Sequence, residues 1–365
     1  MKKSNVMALL TILLFAVLSF VSCSKDEHKD DKDTDYSKLV IGVWQSDIHS
    51  PSSHFLKINK DGSGEELTVT FSGSSVSDYQ MDDFTWKVNT NTLEIIKGSD
   101  INYYYFTLNE DNDHMDLEWK GDLEGFSRIS NVSYDNVLSD LPIDLDIVGS
   151  WKGSESGGTS FFYNKFYKDG TCLRYYFNTS SGNFNIVGYN WGTKDDIFTF
   201  TLPNSTSKWD YKYSLNEDKS NLILNDGDDH IWLRVNDSEY NSHMPDPVEH
   251  IKGAWADKTG WNKITGTFYT RTYLYFYDDG TFRTIDLRSH DSGKNVHEHF
   301  TRLGYYKFEG SCFTYTIDNG ASKGNTLYAI YPKELVFRNP DGFLGVGNNP
   351  DLQKVDDSVV EPYLE

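Results

Sequence analysis

Three times along this chain a Gly-x-Trp opens a β-rich stretch, and each time an arginine follows at nearly the same distance. The motifs are Gly42-Val43-Trp44, Gly149-Ser150-Trp151 and Gly253-Ala254-Trp255, with the tryptophans 107 and 104 residues apart. Arg128, Arg234 and Arg338 lie 84, 83 and 83 residues after their tryptophans. A period of that length predicts a tandem array of one small domain, since a mature chain of this size exceeds what one hydrophobic core usually serves.

Within each period apolar and polar residues alternate, and no helical period lasts three turns outside the first two dozen residues. An Asp-Gly turn recurs at Lys60-Asp61-Gly62, Lys168-Asp169-Gly170 and Asp278-Asp279-Gly280, each between alternating runs. Such a turn needs a residue with positive φ, so it marks a hairpin. Tyr105-Phe106-Thr107-Leu108-Asn109-Glu110-Asp111 repeats as Tyr211-Lys212-Tyr213-Ser214-Leu215-Asn216-Glu217-Asp218. Each unit closes on a strand that carries its arginine. About eight short strands per unit are expected in the first two, and the third matches less closely. The units span 39–130, 145–235 and 248–340, joined by polar, proline-punctuated linkers at 131–144 and 236–247. A loose tail is expected at 341–365.

The first segment reads as an address. Lys2 and Lys3 precede an apolar run from Val6 to Val21, the pattern of a secretory signal over residues 1–22. Leu18-Ser19-Phe20-Val21-Ser22-Cys23 resembles a bacterial lipobox, which implies that Cys23 carries the lipid and becomes the mature N-terminus. The charged stretch after it has too few apolar groups to fold, so 23–38 is expected as a tether. Lys25-Asp26-Glu27 is similar to the export signal of Bacteroidota-type lipoproteins, which implies the outer face of the outer membrane.

The formal charge is −21, and −23 once the two lysines of the leader are removed. A chain this acidic, with no Lys/Arg cluster, lacks the counterion release on which nucleic-acid affinity depends, so no nucleic-acid partner is expected. Cys172 and Cys312 sit at non-equivalent places in different units and read as buried thiols. Oligomeric state is not encoded in any pattern here.

No nucleophile elbow, zinc-binding helix motif or phosphate loop occurs, so catalytic residues, a resident metal and a cofactor are not expected. His297-Glu298-His299 puts two imidazoles on one strand face but has no third ligand at metal spacing. Asp226-Gly227-Asp228-Asp229 is acidic like a calcium loop but lacks its terminal glutamate, and reads as a turn. Aromatic runs at Tyr103–Phe106, Phe161–Tyr163, Tyr175–Phe177 and Tyr273–Tyr277 set rings on both strand faces. Tyr104, Tyr176 and Tyr275 are therefore the candidate ligand-facing rings, suited to stacking on a sugar or burying an apolar ligand.

Gly-x-Trp on a first strand with an arginine on the last resembles the lipocalin family, over roughly residues 39–340. That resemblance implies up-and-down barrels whose lower ends are closed by Arg128 on Trp44, Arg234 on Trp151 and Arg338 on Trp255. The units are about a third shorter than typical lipocalins and have no Thr-Asp-Tyr motif, so a flattened sandwich stays open as the alternative. The expectation is thus a non-enzymatic, all-β, membrane-anchored binder of a glycan or small apolar ligand. A structural or adhesive surface protein is the other reading.

Overall fold

The computed structural model describes residues 35–48, 51–72, 75–154, 159–202, 207–264, 268–317, 322–338 and 351–364. The leader, Cys23 and most of the tether lie outside them. The described residues divide into two compact units, 35–47 with 55–65 and 83–129, and 48–54 with 66–82 and 130–364.

The fold is all-β and built of closed antiparallel barrels. A short helix α1 (Tyr36–Val40) leads into eight strands: β1 (Gly42–Ser46), β2 (Ser52–Ile58), β3 (Ser63–Ser72), β4 (Ser75–Asn89), β5 (Thr92–Lys97), β6 (Asp100–Leu108), β7 (His114–Trp119) and β8 (Asp122–Ile129). They pair in sequence order, and β8 returns to β1 with Arg128 opposite Trp44. Closure leaves no unpaired edge, which suits a chain made of short hairpins.

After β8 the chain forms α2 (Asn131–Ser139). A second ring then follows: β9 (Gly149–Ser154), β10 (Ser160–Phe166), β11 (Thr171–Asn178), β12 (Phe184–Lys194), β13 (Ile197–Thr201), β14 (Lys208–Leu215), β15 (Asn221–Asn225) and β16 (Asp229–Val235). β16 pairs back to β9, with Arg234 opposite Trp151. Two helices, α3 (Asp237–His243) and α4 (Pro247–Ile251), lead to a third set: β17 (Gly253–Asp257), β18 (Asn262–Ile264), β19 (Phe268–Phe276), β20 (Thr281–Ser289), β21 (Val296–Glu309), β22 (Cys312–Ile317), β23 (Ser322–Tyr331), β24 (Glu334–Arg338) and β25 (Asp351–Lys354). β17 pairs with β19 on one side and β25 on the other, and β18 only flanks β19.

The Asp-Gly hairpins are built alike. Asp61, Asp169 and Asp279 each accept the backbone N–H two residues on, at 3.0, 2.9 and 2.9 Å. Gly62, Gly170 and Gly280 take the left-handed conformation at φ 86°, 77° and 81°. The carboxylate holds one side of the turn and the glycine supplies the reversal.

Two expectations need correction. The linker expected at 236–247 is helical for most of its length: Asn236 caps α3 and Asp246 caps α4, with Pro247 in the first turn. Tyr240 is 3 % exposed and packs in one core with Tyr163 of β10 and Trp255 of β17. β12 also pairs with β23 through Ile186–Ile330 and Val187–Ala329, so the second and third rings share a ladder. The segment after residue 350 is not loose either. It contributes β25 and buries Val360 completely against Tyr273 and Ile285.

Candidate functional site

The Gly-x-Trp motifs form a repeated barrel floor. Trp44, Trp151 and Trp255 are 0–1 % exposed. Each indole N–H donates to a carbonyl four residues earlier, Val40, Ile147 and Ile251, so the helical turn before each first strand is tied to the ring. The Arg128 guanidinium lies 4.1 Å from the Trp44 ring centre and donates to the carbonyls of Asn112, Ile41 and Leu39 at 2.9, 2.6 and 2.6 Å. Arg234 lies 4.3 Å from Trp151 and donates to Lys219 and Val148 at 2.8 and 3.0 Å, and to Asp146. A guanidinium stacked on an indole while its N–H groups meet carbonyls satisfies both the ring face and the orphan acceptors of the turn below.

The glycine of the motif follows from the same contact. Gly42 has φ +145°, and a Cβ there would sit 2.3 Å from Arg128 Nη1. At Gly149, φ +126°, the gap to Arg234 Nη1 is 3.0 Å.

The third floor departs from the spacing. The strand beside β17 is β25, where Lys354 stands opposite Trp255 with its Nζ 4.8 Å from the ring. Arg338 belongs to β24 and pairs with Leu327; its side chain lies outside the described residues. Lys354 Nζ donates to the Lys252 carbonyl, and burial pulls its pKa below the ordinary lysine value.

Among the candidate aromatics, Tyr104 faces inward, tilted 6.4 Å from Trp119 and packed on the first core. The exposed rings of that strand are its neighbours Tyr103 and Tyr105, at 57 % and 61 %. Tyr275 is covered: it packs with Val360 and donates to Asp357 at 3.3 Å. Tyr176 lies opposite Phe162 on the inner face of the second barrel.

That inner face is lined by aromatic rings from the floor upward. Phe166, Trp191, Phe198, Phe200 and Trp232 fill its floor with ring centres 4.8–6.3 Å apart. Moving outward along the same face, Tyr189 stacks edge-on to Trp209 at 6.2 Å, and Tyr211 to His230 at 6.2 Å. Trp209 is 41 % exposed, so the face runs from a dry floor to solvent. Composition pointed to these rings, but only the strand register shows which share a face.

No protein-family model matches this chain, and no curated protein matches it.

A cleft of about 750 Å³ lies between residues 138–146 and 193–196 and is lined by Asp140, Asp144, Asp195 and Asp196. Its carboxylates serve the fold: Asp144 caps the turn at Asp146 N (2.9 Å) and accepts from Tyr213 at 3.2 Å. Asp146 pairs with Lys219 at 2.6 Å. Among the described residues no cluster of three His, Cys, Asp or Glu is placed to hold a metal. His297 stacks on His290 at 4.1 Å, and His299 packs on Tyr363. Cys172 and Cys312 are free thiols, and burial pushes both above the ordinary thiol pKa. Neither is a ready nucleophile.

Proposed function

We propose that this protein is a lipid-anchored cell-envelope binder of the Bacteroidota type, made of three tandem lipocalin-like domains that capture a glycan or small apolar ligand. Cys23 is the attachment point, with the chain facing outward from the outer membrane. One observation carries the capture reading: in the second barrel an inner face of aromatic rings continues unbroken from the floor to Trp209 at the surface. Rings with one dry side and one wet side stack on sugars or cover apolar ligands. A glycan and lipid binding screen on the chain carrying Cys23→Ala tests this, and no binding above background to any member would sink it. The same variant should move from the membrane fraction to the soluble fraction; retention in the membrane would remove the anchor.

The packed floors favour a second reading, in which the barrels are rigid spacers of a surface protein. Phe198 is fully buried and packs against Phe166, Phe200 and Trp232. On this reading the screen is silent and shortening the array changes only how far it projects.

A further inference from the structure

Arg174 is the inward-facing residue of β11 opposite Asn164, on the aromatic face just described. Four rings surround its guanidinium: Phe162 and Phe200 at 4.8 Å, Tyr189 and Trp232 at 5.5 Å. Only its Nε is engaged, donating to Asn164 Oδ1 at 2.7 Å. Among the described residues the two Nη groups meet no acceptor, and no carboxylate pairs with the charge. Asn164 is fully buried, and its Nδ2 also lacks a partner.

The Nη edge of Arg174 is left to solvent, while Asn164 Nδ2 is a buried donor with no acceptor. A cation withdrawn among rings recovers part of its hydration through the ring quadrupoles, but its N–H donors still need acceptors. Arg174 is partly exposed, so its free edge opens toward the mouth. A rim acid beside Tyr211 is already engaged: Asp226 accepts from His230 at 3.0 Å, which holds its carboxyl below the usual range. The charge of Arg174 reaches the mouth, where it counters the burial that raises the hydroxyl pKa values of Tyr189 and Tyr211.

The other barrels do not share the feature. The turn bonds Asn59 N to Ser63 O, Tyr167 N to Thr171 O and Tyr277 N to Thr281 O are all 2.9 Å and fix equivalent positions. Three residues beyond each acceptor stand Glu66, Arg174 and Thr284. Glu66 faces His54 at 3.0 Å, and Thr284 is buried. One scaffold thus carries an acid, a base and a neutral group at one place, and the cation alone stands in an aromatic box. A structural plug has no need of a charge, since methionine or leucine would fill the space without the desolvation.

We propose that the mouth of the second barrel is a carboxylate site. The Arg174 fork takes the carboxylate, Asn164 Nδ2 adds a donor, and the flat body of the ligand lies on Tyr176, Trp209 and Tyr211. The fork geometry of a guanidinium matches a carboxylate bidentately, and the surrounding rings shield one side of such a pair from solvent. Two sources present this chemistry: an aromatic acid, or a uronic acid with an apolar ring face. The inference rests on the capture reading and names its ligand class.

The test uses the purified full-length chain and two matched pairs, 2-naphthoate with 2-naphthamide and glucuronate with glucose, followed by tryptophan fluorescence and calorimetry. One acid should bind at least about tenfold more tightly than its neutral partner, and which acid it is tells the source. Arg174→Met, which keeps the stem in the box, should erase that preference. Arg174→Lys should restore only part, because the ammonium lacks the fork. If Arg174→Met fails to fold, Asn164→Asp substitutes: it places a carboxylate against Arg174 and should abolish acid preference while keeping volume. Equal binding of acid and neutral partner overturns the carboxylate site and leaves capture standing. Binding of no probe overturns the site and counts against capture in this barrel. Acid preference that survives both variants assigns it to another group and also overturns the proposal.

Discussion

Lys354 stands across the ladder from Trp255, its Nζ 4.8 Å from the ring, where Arg128 faces Trp44 and Arg234 faces Trp151. A lysine offers the same charge to the indole but a single point donor in place of a fork. It also sits on a strand from the chain's far end, so the third ring is closed by residues the motif spacing passes over.

Lys354 should therefore couple energetically to Trp255. In a double-mutant cycle of Lys354→Ala with Trp255→Phe, a coupling of about 0.5–1 kcal/mol is expected, the range for a partly exposed cation–π pair. Arg338→Ala in the same cycle should show none, because β24 does not pair with β17. Coupling to Arg338 and not to Lys354, measured by urea unfolding, would reverse the assignment.

Arg128→Ala should cost about 1–3 kcal/mol, since it strips both the ring contact and the donors to three carbonyls. Arg128→Lys should recover less than half of that, because one ammonium cannot reach Leu39, Ile41 and Asn112 together. Full rescue by lysine in chemical denaturation would mean that charge alone matters there.

Gly42→Ala and Gly98→Ala separate steric contact from backbone conformation. Both glycines have positive φ, at +145° and +57°, but a Cβ at Gly42 meets Arg128 Nη1 at 2.3 Å whereas nothing lies within 4 Å of one at Gly98. Gly98→Ala should cost about 1 kcal/mol for the left-handed conformation alone, and Gly42→Ala clearly more. Equal losses in Tm would show that the guanidinium yields freely.

His250 of α4 packs on Phe184 of β12 at 4.3 Å, and burial depresses its pKa below 6.5. The unfolded chain then binds the proton more readily than the folded one between the lowered value and 6.5. Stability from this group is full above about pH 6.5 and falls as the pH drops through that window. His250→Phe should flatten that part of the pH–stability curve while keeping the ring contact. A variant whose acid sensitivity just below pH 6.5 equals that of the parent would exclude His250 as the cause.

The sequence by itself determined the β class and the hairpins. An Asp-Gly between alternating runs needs only its own carboxylate and its own positive φ, so Asp61, Asp169 and Asp279 act within two residues of themselves. Alternation likewise states that successive side chains take opposite faces, but not which face is the inside. Tertiary structure alone decided the rest. It set Tyr104 inward and Tyr103 outward, covered Tyr275 with the C-terminal segment, and drew the helices at 237–251 into a shared core. It also chose β25 over β24 to close on Trp255, and gathered Phe162, Tyr189, Phe200 and Trp232 from four strands around Arg174. These outcomes depend on strand register across a closed ring, where a slip of one residue exchanges inside for outside. Residue spacing records distance along the chain; it does not record which strands meet when the ring closes.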